Sequence, residues 1–133
     1  MKLKRKFTKV GQDVFAQVEW EQRTSRITNA DGSIVFEMED AWIPKSWSQL
    51  ATDIMVSKYF RKAGVPQIDD DGQPIVDDHG EPVLGPERSA RQVIHRLAGC
   101  WRAWGEKHEY FGSADDAQTF YDELCWMMLN QVA

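Results

Sequence analysis

The sequence predicts an α+β fold, in which a small N-terminal antiparallel β-meander precedes about three α-helices. Three observations support this prediction. β-Formers partly alternate with polar residues over the first forty positions, apolar residues recur at helical spacing after residue 46, and Pro44 separates the two regions. A chain of 133 residues is a usual length for one domain and buries roughly two thirds of its unfolded surface. We therefore expect one module over 1–133.

The β-rich part covers residues 1–43. Residues 14–20 and 33–39 carry β-formers, and residues 24–28 lie between them. The composition of residues 29–32 suits a tight turn. We expect three short strands that pair in sequence order.

Charge is unevenly distributed around the formal net value of −5, with a basic start over residues 2–9 and an acidic segment over residues 67–86. The basic start is typical of a solvated edge strand, and the alternative is a hook for phosphate, nucleotide or nucleic acid. The acidic segment predicts a mobile loop, although its Asp-Gly and His-Gly steps can instead turn a small ribbon. A calcium loop is disfavoured because Gln73 and Pro74 interrupt its ligand pattern.

The first helix is predicted within residues 44–66. Ser46 is expected to cap it, with the Gln49 side chain reaching back, and Gly64 supplies a stop before Pro66. The expected inward stripe consists of Leu50, Ile54, Met55, Tyr59 and Phe60.

Two more helices are predicted within residues 87–133. Gly85 and Pro86 open the second helix, and Gly105 ends or loosens it. Ser113 starts the third helix, which is expected to run through Val132 without a stop signal, as in a fragment of a longer polypeptide. The expected apolar face of the second helix consists of Val93, Ile94, Leu97, Ala98, Trp101 and Trp104.

No catalytic, cofactor or metal site can be built from local motifs. The histidines lack metal-site spacing, and no phosphate-binding glycine loop or nucleophile elbow occurs. Cys100 and Cys125 are expected to be buried, inert thiols of a reducing compartment. Because no apolar run follows the basic start, we expect a cytoplasmic protein without a membrane span.

The aromatic residues of the last two helices provide the candidate partner-binding surface. Six tryptophans are many for a small module. Core packing is the ordinary role of each, and a docking face is the alternative for any surplus. The candidate partner-binding residues are Trp101, Trp104, Tyr110, Phe111 and Trp126.

Several runs of this sequence resemble the N-terminal region of vitamin B12-dependent (class II) ribonucleotide reductase. The resemblance covers nearly the whole chain, and the acidic segment is its weakest part. The matching runs are FT at 7–8, WSQLA at 47–51, KYFRKAGVP at 58–66, SARQV at 89–93, RLAG at 96–99, WG at 104–105, YF at 110–111, DA at 116–117 and FYDEL at 120–124.

The resemblance implies a non-catalytic module that precedes the catalytic α/β barrel of an enzyme reducing ribonucleotides to deoxyribonucleotides for DNA synthesis. The complete enzyme would use adenosylcobalamin, and no cofactor is expected for this chain alone. The implied partner is the barrel, in cis or as a separate chain, and a homodimer is a further alternative. No membrane or specific nucleic acid is expected as a partner. The family's catalytic cysteines match neither Cys100 nor Cys125, so neither receives such a role.

A second hypothesis makes the chain a freestanding interaction or regulatory module with the same fold, binding nucleotide through its basic start. An enzyme complete within 133 residues has no motif to support it.

Overall fold

The computed structural model describes residues 1–69 and 71–132. The chain divides into two compact units. The helical unit contains Met1–Glu21, Pro44–Ser46 and the described residues from Arg91 onward, and the hairpin unit contains Gln22–Ile43 and Trp47–Ala90. A β-hairpin, a second small sheet and three helices confirm the predicted α+β class. The assignment of residues 1–133 to a single module stays a prediction.

The β-hairpin consists of β1 (Trp20–Thr28) and β2 (Ile34–Pro44). The predicted turn is confirmed: the Asn29 N–H donates to the Ser33 carbonyl at 2.8 Å, and Gly32 adopts a φ of 88°. That backbone conformation strains residues with a Cβ, which explains a glycine at this position.

The strand predicted over residues 14–20 is wrong for Val14–Gln17, which form a 3₁₀ turn. The Asp13 carboxylate accepts the Phe15 N–H at 3.0 Å and caps this turn. Val14 and Phe15 are both buried although they are adjacent. A strand would send neighbouring side chains to opposite faces, so their shared burial requires the tighter turn.

The first helix, α1 (Gln49–Ile54), continues into one π-helical turn over Met55–Tyr59. The predicted cap at Ser46 is wrong by two residues. Ser48 is the N-cap, and its hydroxyl accepts the Ala51 N–H at 3.0 Å. The Gln49 side chain donates to Thr24 and Asp53 instead of reaching back to the cap.

The inward stripe predicted for α1 is also wrong for most of its members. Leu50, Ile54 and Tyr59 are 69%, 45% and 54% exposed, whereas Phe60 is buried as predicted. A π-helical turn bonds residues five apart, as the Phe60 N–H does with the Met55 carbonyl at 3.0 Å. The extra residue places Tyr59 on the same side as Ile54 and Leu50, which makes an exposed apolar ridge.

Thr52 is buried on the opposite side of α1. Its hydroxyl donates to the Ser48 carbonyl at 3.0 Å and accepts from the Arg23 guanidinium at 2.7 Å. A buried hydroxyl is tolerated when it is hydrogen-bonded, so Thr52 can face inward although the predicted apolar stripe did not include it.

The acidic segment folds as a ribbon with two hairpin turns of the same pattern, which confirms the alternative based on its Asp-Gly and His-Gly steps. The Asp69 carboxylate accepts the N–H groups of Asp71 and Gln73, both at 2.9 Å. Eight residues later, the Asp77 carboxylate accepts the equivalent N–H groups, those of His79 and Glu81. Asp70, which belongs to the predicted acidic block, lies outside the described residues.

Three residues spaced by eight positions close this ribbon into a ring of backbone hydrogen bonds. Gln67 donates to Val83 at 2.8 Å, Val83 donates to Ile75 at 3.0 Å, and Ile75 donates to Gln67 at 2.9 Å. The short strands β3 (Val65–Pro66) and β4 (Leu84–Gly85) pair antiparallel at its base.

The second helix, α2 (Ala90–Lys107), starts later than predicted because Gly85 pairs with Val65 in the small sheet. Gly105 lies inside α2 and does not end it.

The third helix, α3 (Ala114–Leu129), starts as predicted. The Ser113 hydroxyl caps it by accepting the Asp116 N–H at 3.2 Å.

The predicted run of the third helix through Val132 is wrong because α3 has a stop after Leu129. Gln131 takes a φ of 57°, its N–H donates to the Met128 carbonyl at 3.2 Å, and the Val132 N–H donates to the Met127 carbonyl at 2.8 Å. These two bonds form a Schellman motif. The sequence hid this stop because glutamine takes the place of the usual glycine. Ala133 lies outside the described residues.

Candidate functional site

The candidate partner-binding residues all belong to the helical unit, and three of them form an exposed aromatic face. Trp101 and Trp104 lie three positions apart on α2 and are 44% and 58% exposed. Tyr110 follows α2, is 61% exposed, and donates its N–H to the Gly105 carbonyl at 2.8 Å. We call Trp101, Trp104 and Tyr110 the aromatic face.

The other two candidates make contacts within the unit. Phe111 lies against Gly105 and packs on Phe120, with 5.4 Å between ring centroids. Trp126 stacks on Phe7 with a centroid distance of 4.1 Å and an interplanar angle of 4°. Their role in partner binding stays a prediction, as does that of the aromatic face.

Trp126 is covered by an N-terminal strap, residues 1–8, which runs along α3. The strap forms no strand, so the predicted edge strand is wrong. Three carboxylates of α3 hold it: Asp116 accepts the Leu3 N–H at 2.8 Å, and Asp122 pairs with Arg5 at 2.6 Å. Glu123 accepts the N–H groups of Lys6 and Phe7.

Sequence reasoning missed the strap because its partners are more than a hundred residues away. The available signal was charge: a basic N-terminus, two acids at 116 and 123 that lie seven positions apart on one side of a helix, and a third acid at 122 beside them.

The strap predicts an acid-sensitive contact at Asp116. The backbone N–H of Leu3 is the main cause that lowers the pKa of this carboxyl below its usual range. A lowered folded-state pKa gives stability that is present above the unfolded value of about 3.9 and is lost as the pH falls through the folded value. We expect Asp116→Asn to flatten the acid side of the stability profile, measured by urea unfolding between pH 2 and pH 6. An unchanged acid limb would contradict this contact.

The two thiols occupy different environments. Cys125 is fully buried, and burial raises its pKa to about 12, so it remains a neutral thiol. Cys100 is exposed on α2, so its predicted burial is wrong. A thiol reagent is therefore expected to modify one cysteine of the native chain within minutes and the second only on unfolding. Mass spectrometry of the labelled peptides checks this, and early labelling of Cys125 would contradict it.

Each of the two units contains a pocket. A groove of about 460 Å³ lies between α2 and α3 and includes Arg96 and Arg102 in its lining. A pocket of about 510 Å³ lies along β2, lined by Glu37, Met38, Glu39, Asp40 and Arg88. Within residues 1–69 and 71–132, no three His, Cys, Asp or Glu side chains cluster as a metal would need. The same residues contain no helix long and apolar enough to cross a membrane.

Known proteins resemble this chain over nearly its whole length. A family model described as class II vitamin B12-dependent ribonucleotide reductase matches residues 21–131. The chain is 41% identical over 147 residues to a vitamin B12-dependent ribonucleotide reductase of Agrobacterium fabrum and 40% identical over 148 residues to one of Bradyrhizobium diazoefficiens. These alignments cover 98% and 99% of the chain. One of Rhodopirellula baltica is 37% identical over 121 residues, or 91% of the chain.

The chain belongs to the class II vitamin B12-dependent ribonucleotide reductase family. This confirms the resemblance found in the sequence. The chain spans about 12% of the length of the Agrobacterium and Bradyrhizobium relatives and 10% of that of the Rhodopirellula relative.

The groove between α2 and α3 and the pocket along β2 are both too small for the family's cofactor. Pockets of roughly 300–1,000 Å³ accept drug-sized ligands. A corrin ring with its side chains and nucleotide tail is much larger than such a ligand. Both pockets are also lined by charged groups: two guanidinium groups in the groove, and three carboxylates with one guanidinium in the pocket along β2. Neither of these two pockets fits cobalamin, and no role toward it is assigned to their lining residues.

Proposed function

We propose that this chain is the N-terminal, non-catalytic region of a vitamin B12-dependent ribonucleotide reductase, and that its aromatic face docks onto the catalytic barrel. The enzyme would reduce ribonucleotides to deoxyribonucleotides for DNA synthesis in the cytoplasm, with the chemistry supplied by the rest of the polypeptide. The observation that supports docking is the exposure of Trp101 and Trp104, three positions apart on α2, and of Tyr110 just after that helix.

The energetic argument rests on surface that the unit leaves in water. A tryptophan buries about 150–250 Å² when it is fully enclosed. Trp101 and Trp104 keep about half of that accessible. At about 25 cal/mol per Å², covering the remainder would contribute roughly 2 kcal/mol for each ring. Tryptophan and tyrosine also dominate the energetic centres of protein interfaces.

The experiment compares two double variants in the full-length reductase. Trp101→Ser with Trp104→Ser removes the aromatic face, and Leu50→Ser with Ile54→Ser removes the same number of exposed apolar side chains from the ridge on α1. We expect the tryptophan pair to lower the thermal unfolding midpoint of the barrel and to reduce cobalamin-dependent nucleotide reduction at least about tenfold, a loss equal to roughly 1.4 kcal/mol. The control pair is expected to leave the midpoint within a few degrees and to change the activity by less than about twofold.

Thermal unfolding of the isolated 133-residue chain distinguishes a loss of docking from a loss of folding. Because both tryptophans are exposed, we expect the variant chain to unfold within a few degrees of the parent, as surface changes usually do. Full activity and an unchanged barrel midpoint in the tryptophan variant would reject docking through this face. Such a result would favour the freestanding module.

A further inference from the structure

The groove between α2 and α3 has the size and lining of a small-molecule site. It belongs entirely to the helical unit, is open to solvent, and has a volume of about 460 Å³. Ligand sites commonly fall between about 300 and 1,000 Å³ and combine an apolar or aromatic wall with a few polar groups. The lining consists of His95, Arg96, Gly99, Cys100, Arg102, Gln118 and Tyr121.

A glycine keeps the floor of this groove open. Gly99 lies in the interior of α2, where glycine is the poorest residue after proline for helix stability. A Cβ at this position would meet its nearest neighbour, His95 Cε1, at 3.7 Å, an ordinary contact distance. Helix packing therefore does not require a glycine here, whereas an open groove does.

One arginine of the lining is held in place with donors to spare. The Arg102 Nε–H donates to Glu106 at 3.0 Å, and an N–H of its terminal nitrogen donates to the Gln118 side-chain oxygen at 2.7 Å. Among the described residues, these bonds use two of the five N–H donors of a guanidinium. A fixed arginine with unused donors loses little conformational freedom when it binds a phosphate.

Two aromatic rings of the lining pack against each other. The Tyr121 hydroxyl lies 2.6 Å from His95 Nδ1, and the two rings meet edge to face at 5.7 Å. The Arg102 guanidinium lies 5.8 Å from the centre of the Tyr121 ring. Burial raises the pKa of Tyr121, so its phenol adds no negative charge to the groove.

We infer that this groove binds a small phosphomonoester, with its phosphate on Arg96 and Arg102 and its organic part over Gly99 against the Tyr121 ring. The seven lining residues include two guanidinium groups and no carboxylate, which favours an anion. The Glu106 carboxylate that pairs with Arg102 lies outside this lining and engages only the Nε–H of its guanidinium. The groove is much larger than a phosphate ion, so the ligand carries an organic group as well. Sugar phosphates and nucleoside monophosphates share this chemistry.

The test measures binding of three probes to the 133-residue chain by titration calorimetry: inorganic phosphate, ribose 5-phosphate and adenosine monophosphate. We expect at least one of the two esters to bind with a dissociation constant below about 1 mM and more tightly than phosphate. A preference for adenosine monophosphate assigns a nucleotide, and equal affinity for the two esters assigns a sugar phosphate. Binding of neither ester below about 10 mM overturns the inference.

Two variants locate the binding. Arg96→Gln is expected to weaken it at least about tenfold. Lys107→Gln also removes one positive charge from α2, but at a residue outside the groove lining. It is expected to change the dissociation constant by less than about twofold. Gly99→Leu fills the floor and should abolish binding without lowering the thermal midpoint, because leucine is the better helix former. Equal weakening by Arg96→Gln and Lys107→Gln, or retained binding in Gly99→Leu, overturns the inference.

Discussion

Replacing Arg5 by methionine is expected to lower the free energy of unfolding by about 3 kcal/mol. The Arg5 and Asp122 side chains are only 14% and 6% exposed, and their charged groups meet at 2.6 Å. Without Arg5, Asp122 keeps one bond from the Gln118 amide at 2.8 Å but no opposite charge at its other oxygen. A buried carboxylate without its counter-ion is strongly destabilising, so the loss greatly exceeds that for an exposed pair.

Urea unfolding of the 133-residue chain measures this loss, with two controls. Glu19→Gln removes one partner of an exposed pair, Lys45–Glu19, and is expected to change stability by less than about 1 kcal/mol. The double variant Arg5→Met with Asp122→Leu removes both charges and is expected to recover most of the loss. If Arg5→Met costs no more than Glu19→Gln, the strap does not hold α3 through this pair.

The second large effect is expected at Gly105, where Gly105→Ala should lower the free energy of unfolding by about 1–3 kcal/mol. Glycine to alanine inside a helix normally stabilises by up to about 1 kcal/mol. At Gly105 a Cβ would come within 2.4 Å of Phe111 Cε2 and 2.8 Å of Cζ. Phe111 cannot turn away without losing its packing against Phe120.

Gly99→Ala is the matched control because it makes the same change in the same helix, where the new Cβ meets only an ordinary contact. The two alanine variants are therefore expected to change thermal stability in opposite directions. Adding Phe111→Leu to Gly105→Ala should relieve the clash and recover part of the loss. A stabilised Gly105→Ala chain would show that Phe111 moves freely.

The elements that the sequence predicted well depend on neighbouring residues. The Ser113 cap and the turn over residues 29–32 bond within four positions of themselves, so their residue types indicate their geometry directly. The α1 stripe was wrong at Leu50 and Ile54 because the buried side of the helix carries Thr52 and Val56 instead. At Tyr59 it was wrong because the π-helical turn over Met55–Tyr59 shifts later residues around the helix axis. A count based on 3.6 residues per turn cannot register that shift.

The candidate site was predictable to a similar extent. Helical spacing placed Trp101 and Trp104 on the apolar face of α2, where core packing was the favoured role, whereas both are about half exposed. The surplus of aromatic residues was the signal for the alternative, an exposed face.

The sequence did not show that Trp126 and Phe111, unlike the exposed tryptophans, pack within the unit. Phe7, more than a hundred residues away in the sequence, covers Trp126. Phe111 lies against Gly105 and packs on Phe120 of α3.

The ring formed by Gln67, Ile75 and Val83 has a kinetic consequence. Each of the three backbone amides is bonded to the next member, so one amide cannot open to solvent without disturbing the other two. Ile75 and Val83 are 38% and 36% exposed, yet we expect the three amides to form one cooperative unit for hydrogen–deuterium exchange. We expect them to share one protection factor, the exchange rate relative to that of the unfolded chain, and to be more protected than exposed turn amides such as Asp71. Three unrelated protection factors would show that the ribbon frays from one end.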